Sequence, residues 1–451
     1  MDISIKNLGA ISEANFTIGD LTVICGKNNT GKTYITYATY GYLYLWKRYK
    51  PEIFNISLTS SILNNKNPIA IDYISLDFFL QNELERFSGI YNNSLPSVFV
   101  KKTNSFPKQS FGIHSTFNDS YQKNILETTY IEDGGSITLE INNRDKNYLN
   151  INLMIDYGID GRPSIQEICS SINYAIREIV FPTAFIISAE RTGAALFQRE
   201  VDFTRSRLID LMKETSINPQ QLLGRFTAEY PLPVKHNIDF IRDLPNIIDK
   251  QSEFSVNHPE VITAFNEIAG GDYAVNAVGG INYTPHNQPD IKLTLAESSS
   301  TVRSLVDIGF YLKHLAKQGD LLMIDEPELN LHPENQRKIA RLFAMLVNAG
   351  IRVFITTHSD YIIKEFNTLL LLNKQDERIQ ALAQREGYQV NELLKPEQLN
   401  IYMTTPDKNV KDQLTYTLVA ASVSEDTGIE LTSFDEVIED MNRIQDEILW
   451  G

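Results

Sequence analysis

Leu21-Thr22-Val23-Ile24-Cys25-Gly26-Lys27-Asn28-Asn29-Thr30-Gly31-Lys32-Thr33 is the stretch on which the reading of this chain turns. Five residues that suit a buried strand end in the pattern G-x-x-x-x-G-K-T. Tyr34 to Trp46 follows with no proline and one glycine, Gly41. A strand, a glycine-bounded loop and a helix start are the context of a phosphate-binding loop. Gly26 and Gly31 let the backbone of Lys27, Asn28, Asn29 and Thr30 curl so that its N–H groups point inward, and the helix N-terminus adds its positive dipole end. Lys32 is then placed to reach the β- and γ-phosphates of a nucleotide, and the Thr33 hydroxyl to hold Mg²⁺. The competing reading, a chance match in a Gly/Asn turn, is set against a long motif in the correct context.

Composition narrows the rest. A chain of 451 residues with 42% apolar and 22% charged residues is that of a soluble globular protein with two or three structural units. No apolar run approaches the roughly 20 residues of a membrane helix. The first residues, Met1 to Lys6, lack the pattern of a signal peptide. Two cysteines, Cys25 and Cys169, exclude a disulfide framework and a multi-cysteine zinc site. Cys25 reads as a small buried strand residue, and the chain as cytoplasmic. The net charge of −16 opposes a protein that coats DNA, which would be basic; DNA could be held only by a local basic patch or through a partner. Acidity is concentrated at the end, where Ala421 to Gly451 holds nine Asp/Glu against Arg443.

Along the chain, Ile3 to Cys25 reads as short strands and 31–47 as a helix. Residues 50–125 are irregular, with Ile71 to Phe87 the best helix there. Leu126 to Asn142 reads as a hairpin turning at Glu132-Asp133-Gly134-Gly135, Tyr148 to Ile155 as a further strand, and Ile165 to Val180 as an amphipathic helix. Thr183 to Ser188 is a buried strand ending at Ala189-Glu190-Arg191. Thr192 to Ala269 is mostly helical, broken at Pro219, Pro231-Leu232-Pro233 and Pro245, and strands follow at 272–277, 281–285 and 290–295. No repeat, heptad run or low-complexity tract is present.

The second half of the site lies nearly 300 positions after the loop. Leu321-Leu322-Met323-Ile324-Asp325-Glu326 is an apolar strand ending in two carboxylates, the Walker B form. Asp325 is placed to reach Mg²⁺ through water, and Glu326 to orient or deprotonate the water that attacks a phosphoanhydride. Pro327-Glu328-Leu329-Asn330-Leu331-His332-Pro333 follows, and then Arg352-Val353-Phe354-Ile355-Thr356-Thr357-His358-Ser359, a second apolar strand. His358 follows Glu326 by 32 residues across one helix (334–348), so its strand is expected beside the Walker B strand, with the imidazole within reach of the γ-phosphate. His332 reads as a capping or packing residue. Leu295-Ala296-Glu297-Ser298-Ser299-Ser300-Thr301-Val302-Arg303-Ser304-Leu305 is a small-polar cluster opening an apolar helix, which by itself is a helix cap.

Taken in this order, the constellation resembles the ATP-binding-cassette class of P-loop ATPases. It is most similar to the SMC, DNA-break-repair and OLD-like branch, whose last motifs read DEPE-x-x-LHP and TTHS. The resemblance covers about 1–47 and 180–372. It implies an α/β ABC-type ATPase head with a mixed or antiparallel β subdomain and a helical subdomain, and no long coiled coil. It implies that Ser299 and Ser300, as the signature, bind the γ-phosphate of ATP held by an opposite subunit. Where the usual signature has glycine, this chain has Ser300-Thr301, which implies slow turnover. Gln198 and Glu190-Arg191 are rival candidates for the Q-loop. The implied units are 1–200, a nucleotide-binding lobe with a β insertion at about 50–160; 201–290, a helical lobe; 291–375, a lobe with signature, Walker B, D-loop and His switch; and 376–451, an acidic extension. In that extension Phe434, Val437, Ile438, Met441, Ile444 and Ile448 line one face of a helix, either packed on its own core or docking a partner.

The resemblance thus implies ATP and Mg²⁺ as ligands and a homodimer, or a higher homo-oligomer, closed around ATP. Without SMC heptads or an OLD-type Toprim domain, the chain resembles the compact ATPase subunits of bacterial anti-phage systems, the PtuA-type of Septu and retron systems and the AriA-type of PARIS. That implies a separate effector nuclease or toxin, with no membrane partner. A DNA-repair or recombination ATPase that binds DNA directly is the alternative.

Overall fold

The computed structural model describes residues 1–53, 69–100, 108–116, 126–132, 135–142, 148–157, 164–196, 230–277, 279–407 and 414–430, together with Arg443 and Glu447. The chain opens with β1 (Asp2–Leu8), β2 (Ile11–Thr17) and β3 (Leu21–Cys25), and β3 feeds helix α1 (Lys32–Trp46). Then come β4 (Ile69–Asp72), α2 (Tyr73–Val98), β5 (Ser110–His114), β6 (Leu126–Glu132), β7 (Gly135–Asn142), β8 (Tyr148–Tyr157), α3 (Ile165–Val180) and β9 (Ala184–Ile187). Beyond residue 230 follow α4 (Leu232–Ile247), α5 (Pro259–Ala269), β10 (Gly271–Val275), β11 (Ile281–Pro285), β12 (Leu293–Thr294) and α6 (Ser300–Phe310). The last part holds β13 (Leu321–Asp325), α7 (Pro333–Asn348), β14 (Arg352–Thr357), α8 (Asp360–Leu371), β15 (Leu399–Pro406) and β16 (Tyr416–Ala420).

The class is α/β, with one mixed sheet of nine strands in the order β5-β1-β2-β16-β15-β3-β14-β13-β9. Its centre, β15-β3-β14-β13-β9, is parallel. Every residue of β3 and β13 is buried, as expected for parallel strands covered on both faces. Successive side chains serve two cores. Ile24, Met323, Phe354 and Ile186 join the core under α1, α2 and α3. Val23, Ile324, Ile355 and Ile187 join the opposite core under α5, α6, α7 and α8. Helix α1 is apolar nearly all round, with Ile35, Tyr37, Ala38, Tyr42, Leu43 and Trp46 buried, which marks a helix enclosed by its neighbours rather than lying at a surface. Beside the main sheet stand a separate antiparallel sheet, β4-β8-β7-β6, a small one, β10-β11-β12, and a two-stranded one of β17 (Ser422–Ser424) and β18 (Gly428–Glu430). No long coiled coil occurs among the described residues, and no helix there is long and apolar enough to cross a membrane.

Several elements differ from the sequence expectation. Helix α4 does not break at Pro245 but runs to Ile247; a proline in the final turn removes one hydrogen bond and leaves little helix beyond it to disrupt. The helix near 71–87 extends to Val98, capped by Asp72, whose side chain accepts from the Ser75 N–H. The strand expected at 290–295 is only Leu293–Thr294. Inside the stretch read as irregular, β5 pairs antiparallel with β1 and forms one edge of the main sheet. Residues 376–451, read as an extension, supply two internal strands of that sheet: β15 lies parallel to β3, and β16 bridges β15 to β2. The amphipathic face proposed at 434–448 and the turn at Asp133-Gly134 fall outside the described residues.

The placement of β15 sets the stability of the whole sheet. Leu399, Ile401 and Met403 are buried in the core shared with β3. At about 1.5–3 kcal/mol per buried side chain, losing the three costs about 5–9 kcal/mol, a large share of the roughly 5–15 kcal/mol by which domains of ordinary size are stable. A chain truncated at Gln398 is therefore expected to lose cooperative thermal unfolding, followed by circular dichroism. A cooperative transition within a few degrees of the full chain would show that the two strands are dispensable.

Candidate active site

Strand register brings the distant motifs together. Cys25 pairs with Thr357, and Thr356 pairs with Asp325. The loop after β3, the His358 turn after β14 and the acidic turn after β13 thus leave the sheet side by side at their carboxyl ends, where open parallel sheets hold ligands. The adjacency of the His358 and Walker B strands is as the sequence predicts.

The loop's backbone has the required shape. Gly26 (φ 142°) and Gly31 (φ 96°) occupy positive-φ conformations that side chains disfavour. A Cβ at Gly26 would sit 2.0 Å from the Thr404 hydroxyl. Lys27, Asn28 and Asn29 form an exposed rim, while Thr30 and Lys32 are buried. The Lys32 ammonium donates to the carbonyls of Gly26 (2.8 Å) and Lys27 (2.7 Å). Burial lowers its pKa, and the charges of Glu326, Asp325 and Glu328 pull it back up. Cys25 is fully buried, and burial pushes its thiol up to about 12.

Asp325 is the centre of the polar network. It has no exposed surface, and it accepts from the Thr33 hydroxyl at 2.9 Å and from the Thr356 hydroxyl. Burial pushes its carboxyl up to about 6. Thr33 and Asp325 offer hard oxygen donors side by side. That set suits Mg²⁺, which takes one or two carboxylates with phosphate oxygens and keeps several waters.

Glu326 adopts φ 52°, a left-handed conformation that a residue with a Cβ rarely takes outside functional turns. Its N–H donates to the Thr356 carbonyl. His358 Nδ1 lies 3.7 Å from Glu326 Oε1 and 3.1 Å from Glu328 Oε1. Interaction with Glu326, then the charge of Glu328, raises the imidazole above the usual histidine range, although Glu328 is the nearer partner. The Glu326 carboxyl is correspondingly lowered, first by His358. Glu328 is buried and anchors the histidine turn by accepting from Thr357 Oγ1 (2.8 Å) and the His358 N–H (2.7 Å).

Ser299 and Ser300 are exposed at the start of α6, where the Ser299 hydroxyl caps the helix by accepting from the Val302 N–H. Among the described residues neither bonds to the phosphate loop. His332 is the N-cap of α7, its ring accepting from the Glu334 N–H. Gln198 lies outside the described residues. Its rival Glu190 accepts from the Tyr37 hydroxyl at 2.7 Å, beneath α1.

Sequence reasoning passed over three residues. Glu328 was quoted but given no role. Thr404, on β15, lies 2.9 Å from the Thr30 hydroxyl and 3.4 Å from the Cys25 carbonyl; Thr30 in turn donates to the Lys27 carbonyl at 2.8 Å. No local motif marks Thr404, because its role depends on β15 lying beside β3. Arg191, weighed only as part of a Q-loop, is buried beneath Asp325 and Glu326.

A phosphate-binding loop, a Walker B turn and a histidine turn at the carboxyl edge of one parallel sheet define a P-loop nucleotide-binding protein. The chain belongs to the family described as the AAA ATPase domain, whose model matches residues 1–363. No curated protein matches it. Solved structures aligned to it include an SMC head bound to the C-terminal winged-helix domain of ScpA, at 10% identity over 97% of this chain and 98% of that one, with a TM-score of 0.33. Another is the SMC head domain from Thermotoga maritima, at 10% identity over 94% and 98%, with a TM-score of 0.30. A third, an Smc head bound to the C-terminal domain of ScpA derived from Pyrococcus furiosus, is 12% identical over 98% of each chain, with a TM-score of 0.32. Likeness at this level bears on neither activity nor partners.

Two outcomes test this geometry. Thr404→Val keeps the shape but removes the hydroxyl, and is expected to lower unfolding stability by about 1–2 kcal/mol; an unchanged denaturant midpoint would show that the link to Thr30 contributes nothing. The second concerns Asp307 on α6, fully enclosed and pushed up by burial to about 7 from an ordinary 3.8. Between those values the folded chain holds a proton that the unfolded chain has released, so its contribution is present below about pH 4 and lost as pH rises to about 7. The stability of the wild type relative to Asp307→Asn should therefore fall across that window. A difference that stays flat or grows with pH would contradict the assignment.

Proposed function

We propose that this chain binds ATP with Mg²⁺ and hydrolyses it, and that two copies close around two nucleotides as a switch acting on a separate effector. The observation that carries the reading is the juxtaposition of Thr33 and Asp325, 2.9 Å apart, with Lys32, Glu326 and His358 around them. Lys32 exchanges its loop carbonyls for the β- and γ-phosphate oxygens, and the N–H groups of residues 27–33 bind the remaining phosphate oxygens. Thr33 and Asp325 hold Mg²⁺, which when bound neutralises charge on the phosphates. Glu326, kept ionised by its neighbours, accepts the proton of the attacking water. His358, whose imidazole is raised by the neighbouring Glu326 and Glu328, faces the γ-phosphate as a donor.

The exposed Ser299-Ser300 segment at a helix N-terminus supports a contact with ATP on a second copy. The wider reading, that ATP binding and release gate a nuclease or toxin in bacterial anti-phage defence, rests on the resemblance to compact defence ATPases and on the acidic residues beyond 421.

Glu326→Gln is expected to lower turnover about 10²–10⁴-fold, the usual contribution of a general base, while leaving ATP bound and stabilising a dimer seen by native mass measurement. Lys32→Ala should lose nucleotide binding itself. Wild-type turnover retained by Glu326→Gln would remove the base assignment. Salt-sensitive DNA binding by the chain alone would replace the effector reading with a DNA-repair one.

A further inference from the structure

Arg191 is a buried cation with an unusual set of partners. Its side chain is enclosed just beyond β9, and its guanidinium donates to four backbone carbonyls. Nε donates to Ser304 (2.9 Å), Nη1 to Ser188 (3.1 Å) and Asp325 (3.1 Å), and Nη2 to Glu326 (2.9 Å). The acid whose charge acts on it most is Asp307, one turn along α6 from Ser304, and neither of its oxygens has a hydrogen-bond partner among the described residues. Four carbonyls from three separate elements thus converge on one planar donor.

Two of these carbonyls belong to the acidic turn, and one of them follows the left-handed Glu326 backbone. A residue with a Cβ at φ 52° is strained and persists only where its surroundings over-determine it. The fork of Arg191 supplies that constraint on the carbonyl side, and the Glu326 N–H bond to the Thr356 carbonyl supplies it on the other. The third carbonyl, Ser304, lies in the first half of α6, whose N-terminus carries Ser299 and Ser300. One rigid planar group therefore spans the base of the catalytic turn and the helix that presents the serines.

We infer that Arg191 is the positioning residue that holds Glu326 in its left-handed conformation and couples its aim to the placement of α6. It rests on the ATPase reading above and adds to it a route by which movement of the Ser299-Ser300 helix is felt at the attacking water. Lysine cannot reproduce the function, because an ammonium is a point donor without the planar geometry that reaches three elements at once.

The test uses the full chain. Arg191→Lys is expected to melt within a few degrees of wild type and to bind a non-hydrolysable ATP analogue with unchanged affinity, yet to turn over at least tenfold more slowly. In the Glu326→Gln background the same substitution should leave the residual rate unaltered, because the group it positions is already gone. Equal losses in both backgrounds, a parallel loss of analogue affinity, or an unimpaired rate would each overturn the inference. If the lysine protein does not fold, Arg191→Ala is assayed with guanidinium titrated into the millimolar range, where restored turnover at constant analogue affinity is expected. Absence of rescue, or failure of both proteins to fold, would make Arg191 a residue of the core alone and overturn it too. A wild type that does not hydrolyse ATP would sink the functional reading and this inference together; a wild type that does, beside an unimpaired lysine variant, sinks this inference alone.

Discussion

The structure depends on a carboxylate with nowhere else to go. Asp325 ends a strand whose five residues are all buried, and its charge is removed from water. A group so placed must be hydrogen-bonded or neutralised. It is met by the hydroxyls of Thr356, directly across the strand ladder, and Thr33, at the first turn of α1. Those two bonds tie three elements together and fix the distance between the phosphate loop and the acidic turn. Burial raises the carboxyl and the two hydroxyl bonds oppose that rise only in part; a dication would supply the positive charge that two hydroxyls lack.

Around that carboxylate, backbone carbonyls rather than side chains do much of the positioning. Arg191 gathers carbonyls from the turn after β9, from α6 and from the acidic turn. Glu328 accepts from the backbone of the His358 turn, and the Thr30 hydroxyl closes the loop onto the Lys27 carbonyl. Backbone contacts of this kind transmit the position of whole elements, because a carbonyl cannot move without its strand or helix. Ser299, Ser300 and the rim at Lys27–Asn29 stay exposed and take no part in that framework.

Much of the site was legible because its residues sit in tight local patterns. G-x-x-x-x-G-K-T, the strand ending in Asp325-Glu326 and the strand ending in His358 each declare their chemistry within a dozen residues. Their separation by one helix also foretold that β13 and β14 would be neighbours, since a short crossover returns a parallel strand beside the last. Less legible were contacts between segments far apart in sequence. Thr404 lies nearly 380 residues from the loop it braces, on a strand without motif or unusual composition. β5 was hidden in a stretch rich in Asn, Ser and aromatics, and its strand character comes from pairing with β1.

By itself, then, the sequence determined the class of fold and singled out the glycine-bounded loop and the paired acids, because these follow from strand hydrophobicity and from the backbone freedom of glycine. Only the tertiary structure decided that residues 399–420 complete the central sheet and that Glu326 stands in a left-handed conformation. It alone brought a buried arginine beneath that turn. Each of those features is a pairing of backbone groups across long sequence separations, and a backbone N–H or carbonyl has the same chemistry at every position. Which one meets which is therefore written in the packing of the elements and not in the residues themselves.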